Sequence, residues 1–169
     1  KKVDQLSKAI YVQSKSFDDM LELAQNKEEM LAHIPAIQPV ANKNLKRMAS
    51  GYGYRIHPIY KTRKMHWGMD FSAPKGSPVY ATGNGTIKQI KRSKRGYGNQ
   101  VRISHGYGYE TFYAHLEKFN QGIQQVAEEK QYIQESFEID FALTENKMPV
   151  KKGQLIGFSG NTGSSTAPH

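Results

Sequence analysis

His66 and Asp70 are the two side chains in this sequence best suited to bind a metal ion together. They lie four residues apart, with Gly68 between them. Positions four apart in an extended strand are separated by about 13 Å, at ~3.3 Å per residue. Two ligands of one zinc ion need donor atoms only about 3–4 Å apart, so the chain must bend between them, and a glycine permits such a bend. The spacing alone is weak evidence, because H-x-x-x-D also occurs by chance.

Asp70 also stands out by its surroundings. It is the one acidic residue among eleven Lys and Arg side chains in the segment 51–105, within a chain of net charge +9. An ion pair with one of these cations would explain it, and so would the need for an anionic metal ligand. The cationic segment favours an anionic partner, such as an anionic polymer, a lipid surface or nucleic acid. It could equally be a solvated face that keeps the protein in solution.

His115 and His169 are further candidates for acid–base chemistry. His115 follows the predicted strand 109–114, and a histidine at a strand end can face a cleft or belong to the core. His169 follows Pro168 and by itself indicates nothing. Because the chain has no cysteine, a zinc site could use only His, Asp and Glu, the ligand set of catalytic sites with an open position. The absence of cysteine also excludes a disulfide scaffold, an iron–sulfur centre and a thiol nucleophile.

Short strands between glycine turns must position these residues. Val101 and Ile103 alternate with polar neighbours, as a half-buried strand requires. Turns spaced about 8–12 residues apart are typical of an antiparallel meander with a sandwich or barrel core. The turns are expected at residues 74–76, 83–85, 96–98 and 106–108, and the strands between and after them at 77–81, 86–91, 99–105, 109–114 and 154–159.

Helices are expected at two places outside this strand pattern. Residues 3–33 have the apolar spacing of two helices joined near residues 14–16, where Ser16 and Asp19 resemble a capping box. A further helix is expected over 121–137. No apolar run reaches the ~18–20 residues of a membrane span. The chain begins at Lys1 without a start Met or a signal-peptide core, so we interpret it as a fragment or processed chain whose targeting segment or anchor would lie upstream.

Taken in chain order, several stretches resemble the lysostaphin-type, or LytM-domain, zinc endopeptidases that cleave peptidoglycan. The resemblance covers most of residues 51–169, and its combination of motifs is highly specific. The matching stretches are GYGYRIHP at 51–58, HWGMD at 66–70, VYATGNG at 79–85, GYGNQV at 96–101, TFYAHL at 111–116, VKKGQLIG at 150–157 and GNTGSSTAPH at 160–169.

The resemblance implies a mainly β fold with an antiparallel, sandwich- or barrel-like LytM peptidase core and an N-terminal helical arm. The arm would span residues 1–33 and an extended linker 34–48, and the peptidase domain would span 49–169. A helical insertion would occupy about 119–149, a connection longer than is usual in the family. The domain would be incomplete at its C-terminal end.

The resemblance also implies roles for the four candidate residues. His66 and Asp70 match two zinc ligands of the family, and His115 matches the catalytic histidine at the end of a core strand. His169 matches the first histidine of an H-x-H motif, a second catalytic histidine. The third zinc ligand is the second histidine of that motif, two positions beyond the last residue here.

The function implied is zinc-dependent hydrolysis of peptide cross-links or stem peptides of bacterial peptidoglycan, in the cell envelope. One Zn²⁺ ion is the implied cofactor, and peptidoglycan peptides are the implied partners; the helical arm could contact other envelope proteins. The alternative is an inactive LytM domain that binds and activates another cell-wall hydrolase. A nucleic-acid binder that uses the cationic segment is disfavoured, because it leaves His66, Asp70, His115 and His169 unexplained.

Overall fold

The N-terminal arm is one long helix, α1, which runs through Lys2–His33 without a break. The prediction of two helices joined near residues 14–16 is therefore wrong. Serine costs a helix interior only about 0.5 kcal/mol relative to alanine, and no glycine or proline interrupts this segment. None of the helix residues is buried. The computed structural model describes residues 2–45, 47–56, 61–129, 136–141 and 147–169.

The rest of the described chain consists mainly of short strands, and all of their pairings are antiparallel. This confirms the predicted mainly β fold with an N-terminal helix. In chain order the elements are β1 (Arg47–Ser50), β2 (Gly53–Ile56), β3 (Arg63–His66), β4 (Asp70–Ser72), β5 (Pro78–Tyr80), β6 (Gly85–Arg92), β7 (Asn99–Gly106), β8 (Tyr109–Leu116), β9 (Lys118–Phe119), α2 (Gln121–Glu129), β10 (Phe137–Asp140), β11 (Met148–Val150) and β12 (Leu155–Phe158).

The central sheet has the strand order β10-β6-β7-β8, and β11 also pairs with β6. A second sheet has the order β5-β12-β9, and β1–β4 and β2–β3 form two further pairs. Ile87, Ile90, Val101 and Ile103 of β6 and β7 are fully buried, and each such side chain contributes about 1.5–3 kcal/mol by leaving water. Ile156 of the second sheet joins the same core, so the two sheets hold each other in place.

The described part of the predicted helical insertion contains both a helix and strands. We expected a helix over 121–137, but α2 ends at Glu129, and Phe137 begins strand β10. Phe137 and Ile139 are buried while Glu138 is exposed, a two-residue alternation that fits a strand rather than a helix. Pairing of β10 with β6 explains this outcome, because tertiary contacts override local propensity. Residues 130–135 and 142–146 lie outside the described part.

The predicted linker 34–48 is not extended throughout, because Asn42–Asn44 form a 3-10 helix and β1 begins at Arg47. Its first half packs on the strands. The Ala36 amide donates to the carbonyl oxygen of Thr82 at 3.1 Å, and the Tyr80 amide donates to that of Pro39 at 2.7 Å. Val40 is buried in the core. These contacts tie the end of α1 to the edge of β5. No helix in the described part of the chain has both the length and the apolar character needed to cross a membrane.

Candidate active site

A turn brings His66 and Asp70 together. Strand β3 ends at His66 and strand β4 begins at Asp70, so residues 67–69 form the bend that we expected around Gly68. The Nε2 atom of His66 lies 3.1 Å from Oδ1 of Asp70. That separation falls in the range of about 3–4 Å that two donors on one zinc ion require.

The tautomer of His66 is set by a backbone carbonyl. Its Nδ1 donates to the carbonyl oxygen of Gly51 at 2.9 Å, and because a carbonyl can only accept, Nδ1 carries the proton. In the neutral ring, Nε2 then carries a lone pair that faces a carboxylate oxygen. This contact is favourable only with a proton or a metal cation between the two atoms. The contact between His66 and Asp70 therefore requires a proton or a cation between Nε2 and Oδ1.

Asp70 divides its two oxygens between different partners. Oδ2 accepts a hydrogen bond from Nη1 of Arg55 at 2.7 Å, whereas Oδ1 faces His66. The ion pair that we considered for this lone acid is therefore present, and its other oxygen lies beside an imidazole. The side chain of Asp70 is only 18% exposed, so both contacts are largely shielded from solvent.

His115 lies near the end of β8 in a conformation unusual for histidine. Its φ of +57° is in the left-handed region, a strain of order 1–3 kcal/mol that is common at functional sites. Its amide donates to the carbonyl oxygen of Tyr97 at 2.9 Å, and its Nδ1 donates to that of Thr162 at 2.7 Å. Burial lowers the pKa of His115, and the Thr162 carbonyl opposes this only in part. The ring is therefore neutral near pH 7, with its lone pair on Nε2.

His169 completes the cluster. Its ring centre lies 4.9 Å from that of His115, and its Nε2 lies 3.9 Å from Oδ1 of Asp70. Its Nδ1 donates to the carbonyl oxygen of Ala167 at 2.8 Å. In all three histidines of this cluster, a backbone carbonyl thus engages Nδ1 and leaves Nε2 for other chemistry.

Thr162 fixes the position of His115. Besides its carbonyl contact with that ring, its Oγ1 donates to the carbonyl oxygen of Leu116 at 2.8 Å and accepts from the Asn99 amide at 3.0 Å. The turn at Gly98 packs directly against it: a Cβ on Gly98 would lie 2.3 Å from Thr162 Oγ1. This close approach is why glycine is required there.

The four predicted residues line one cleft of about 690 Å³. One side of it carries Trp67, which is 75% exposed. Another carries Tyr97 and Phe112, whose rings pack edge to face with centres 5.0 Å apart. Residues 35–40 after α1 also line the cleft. The cleft thus combines imidazole and carboxylate groups with exposed aromatic surface.

Sequence reasoning missed three supporting residues, Gly51, Arg55 and Thr162. All three lie inside stretches that carry the resemblance, so the motifs marked their segments without indicating their contacts. His57 and Pro58 of the first motif lie outside the described residues.

In the part of the chain that the structure describes, no group of three or more His, Asp or Glu side chains is arranged as a metal site. The two residues predicted as ligands nevertheless fit a zinc ion. They supply one imidazole nitrogen and one carboxylate oxygen, with the imidazole oriented by a carbonyl as is usual for metal-bound histidine.

Known proteins resemble this chain in both sequence and fold. The sequence profile of Peptidase family M23 matches residues 64–139, which include His66, Asp70 and His115. The DD-carboxypeptidase/endopeptidase Mpg of Neisseria meningitidis is 41% identical over 123 residues, covering 73% of this chain and 23% of that protein. The chain thus spans about a quarter of the length of this relative.

Two solved structures share the fold. A zinc containing peptidase from Vibrio cholerae has a TM-score of 0.57 at 31% identity, over 78% of this chain and 33% of that one. The catalytic domain of lysostaphin from Staphylococcus simulans has a TM-score of 0.54 at 32% identity, over 76% of this chain and 77% of that one. Similarity of sequence and fold across most of a solved catalytic domain shows that the chain belongs to peptidase family M23.

Proposed function

We propose that this chain is the catalytic part of a zinc-dependent endopeptidase that hydrolyses peptide bonds of bacterial peptidoglycan. The observation that carries the proposal is the meeting of His66, Asp70, His115 and His169 in one cleft. The relatives support the substrate, since Mpg is named a DD-carboxypeptidase/endopeptidase and lysostaphin an antimicrobial peptidase. The protein would act in the cell envelope, where that substrate lies.

His66 and Asp70 would hold the metal ion, through Nε2 and Oδ1. When bound, zinc supplies a Lewis acid that polarises a peptide carbonyl and makes water more acidic. The two side chains are suited to this role because Gly51 and Arg55 occupy their other polar atoms. These contacts hold both side chains in place.

His115 and His169 would move the protons of the reaction. Both rings are held at Nδ1 by carbonyl oxygens, so both accept at Nε2. Because burial lowers the pKa of His115, its neutral form is available to accept a proton from water at neutral pH. The imidazolium that results can then donate to the leaving amine, as general acid–base catalysis requires.

The substrate would lie along the open cleft as an extended peptide. Trp67 and Tyr97 offer exposed aromatic surface near the four site residues, and the hydrogen bonds around Thr162 keep the facing loops fixed. The cationic segment 51–105 fits the anionic character of a cell-wall polymer.

Digestion of defined substrates tests the proposal and distinguishes two bond types. The zinc-loaded protein is incubated with a muropeptide dimer cross-linked through a D-amino acid and, separately, with a pentaglycine peptide; products are identified by mass spectrometry. We expect new amine ends from one of these substrates, and none after chelation or with His115→Ala. No cleavage of either substrate, together with tight binding to a second wall hydrolase, would instead support the inactive regulator.

A further inference from the structure

Strand β2 supports the candidate metal site from one side. In its pairing with β3, Gly53 lies opposite His66 and Arg55 lies opposite Lys64. Tyr54 and Ile56 face solvent, being 70% and 71% exposed, whereas Gly53 and Arg55 alternate with them on the more buried face. The sheet geometry therefore turns the Arg55 side chain toward the site, even though it is one of many cations in the segment.

The contact that Arg55 makes is specific to one oxygen. Its Nη1 donates to Oδ2 of Asp70 at 2.7 Å, and Oδ1 of the same carboxylate lies 3.1 Å from Nε2 of His66. The Arg55 side chain is 33% exposed and that of Asp70 18%. A charge-assisted hydrogen bond in such a shielded place fixes the rotation of the carboxylate more firmly than a surface ion pair would.

We propose that Arg55 is a positioning residue that holds Oδ2 of Asp70, so that the carboxylate binds zinc through Oδ1 alone. The inference rests on the proposed function, since it requires that His66 and Asp70 are zinc ligands. By occupying Oδ2, Arg55 prevents the carboxylate from chelating the ion with both oxygens, and so preserves an open position for water and substrate.

Two effects of the guanidinium on zinc affinity oppose each other. Its positive charge repels a second cation, which weakens binding, whereas its hydrogen bond orients the ligand, which strengthens binding. Loss of an outer partner of a metal ligand typically costs 10–100-fold in metal affinity, so orientation is expected to dominate. Lysine separates the two effects, because it keeps the charge but lacks the planar guanidinium geometry.

Zinc affinity of variants tests the proposal without relying on catalysis. Competition with a chromophoric chelator gives the zinc Kd of the wild type, Arg55→Met, Arg55→Lys and Arg63→Met. Arg63 is a matched control, because it lies on the paired strand β3 with its guanidinium 5.1 Å from the centre of the Tyr54 ring. We expect both Arg55 variants to raise the Kd about 10–100-fold, and Arg63→Met to change it less than about threefold.

A second measurement reports on the geometry of the site. The visible absorption of the cobalt-substituted protein is sensitive to coordination number, and we expect it to change in Arg55→Met and not in Arg63→Met. Circular dichroism and urea unfolding of the metal-free proteins show whether each variant folds. If Arg55→Met does not fold, Arg55→Lys decides the question.

Each outcome has a definite meaning. A folded Arg55→Met whose zinc Kd and cobalt spectrum match the wild type overturns the positioning role. So does a loss of affinity in Arg55→Met that Arg55→Lys fully restores, because the planar guanidinium would then not be needed to hold Oδ2. Failure of both variants to fold also overturns it. If the wild type binds zinc and cleaves its substrate, and Arg55→Met binds zinc equally well, the positioning role is refuted but the proposed function stands. A wild type that binds no zinc refutes both the positioning role and the proposed function.

Discussion

The ring of His115 lies 4.9 Å from the ring of His169, and the Thr162 carbonyl that accepts from His115 belongs to the same loop as His169. Loss of either ring should lower kcat/KM by about 10²–10⁴-fold, the usual worth of a general acid or base. We expect His115→Ala and His169→Ala to have this effect on muropeptide cleavage. The double variant should have a kcat/KM only slightly lower than that of the less active single variant, because the two residues act as a unit.

His33→Ala is the matched control for those two variants. His33 ends α1 and contacts Tyr107 edge to face, with ring centres 5.9 Å apart, and it does not line the cleft of His115. The activity of the His33→Ala variant should equal that of the wild type. A comparable loss in His33→Ala would mean that removal of an imidazole acts through folding rather than catalysis.

The lowered pKa of His115 has a consequence for stability. Its cause is burial, which penalises the imidazolium in the folded protein. Below its ordinary value of about 6.5, the unfolded chain binds this proton more readily than the folded one, so the free energy of unfolding falls as the pH falls. Urea unfolding of the metal-free protein at pH 7.5 and pH 5.5 should therefore show a larger acid-induced loss in the wild type than in His115→Gln. Equal losses would contradict the buried, neutral state of this ring.

The Gly98 turn should tolerate no larger side chain. Gly98 has a φ of +64°, and an added Cβ would lie 2.3 Å from Thr162 Oγ1. Gly108 has a φ of +81° but nothing within 4 Å of an added Cβ, so Gly108→Ala carries the backbone strain without the clash. We expect Gly98→Ala to lose at least 1–2 kcal/mol more stability than Gly108→Ala, on the scale of overpacking costs, and to lose activity through displacement of Thr162. Equal stabilities by urea unfolding would refute the close contact.

Trp67 should affect substrate binding more than stability. It is 75% exposed and lines the cleft. Its ring packs edge to face against that of Tyr52, with centres 6.1 Å apart, and its remaining surface can stack on a ligand. An aromatic contact is worth about 0.5–1.5 kcal/mol, which predicts a KM increase of about 2–10-fold for Trp67→Ala with kcat little changed. Tyr54→Ala is the control, since Tyr54 is 70% exposed on the outer face of β2. An unchanged KM in Trp67→Ala would place the substrate elsewhere.

The five strands β5, β6, β7, β8 and β12 could be predicted from the sequence because glycine turns and alternating side chains are local signals. Ile103 and Val101 alternate with polar residues, and the structure buries both. The start of β10 at Phe137 could not be predicted in this way, since only its pairing with β6 makes that segment a strand. The continuous α1 helix shows that a cap signal such as that at Ser16 does not end a helix where no glycine or proline interrupts it.

The residues of the candidate site could be identified from their types and motifs. The residues that hold them in position could not. His66 and Asp70 belong to a short pattern that can be recognised in the sequence. Arg55 and Thr162 act through contacts between residues distant in the chain, 15 residues apart for Arg55–Asp70 and 47 for His115–Thr162. Such contacts depend on strand register and loop packing, which no local signal in one sequence records.

Zinc stoichiometry is the most direct test of the central claim that His66 and Asp70 bind a catalytic metal. The purified wild type, His66→Ala and Asp70→Asn are dialysed against zinc, and bound metal is measured by atomic absorption alongside muropeptide cleavage. We predict one zinc ion per wild-type chain, a large loss of zinc in both variants, and cleavage that chelation abolishes and added zinc restores. A wild type that cleaves its substrate without zinc, or variants that retain a full equivalent of zinc, would contradict this claim.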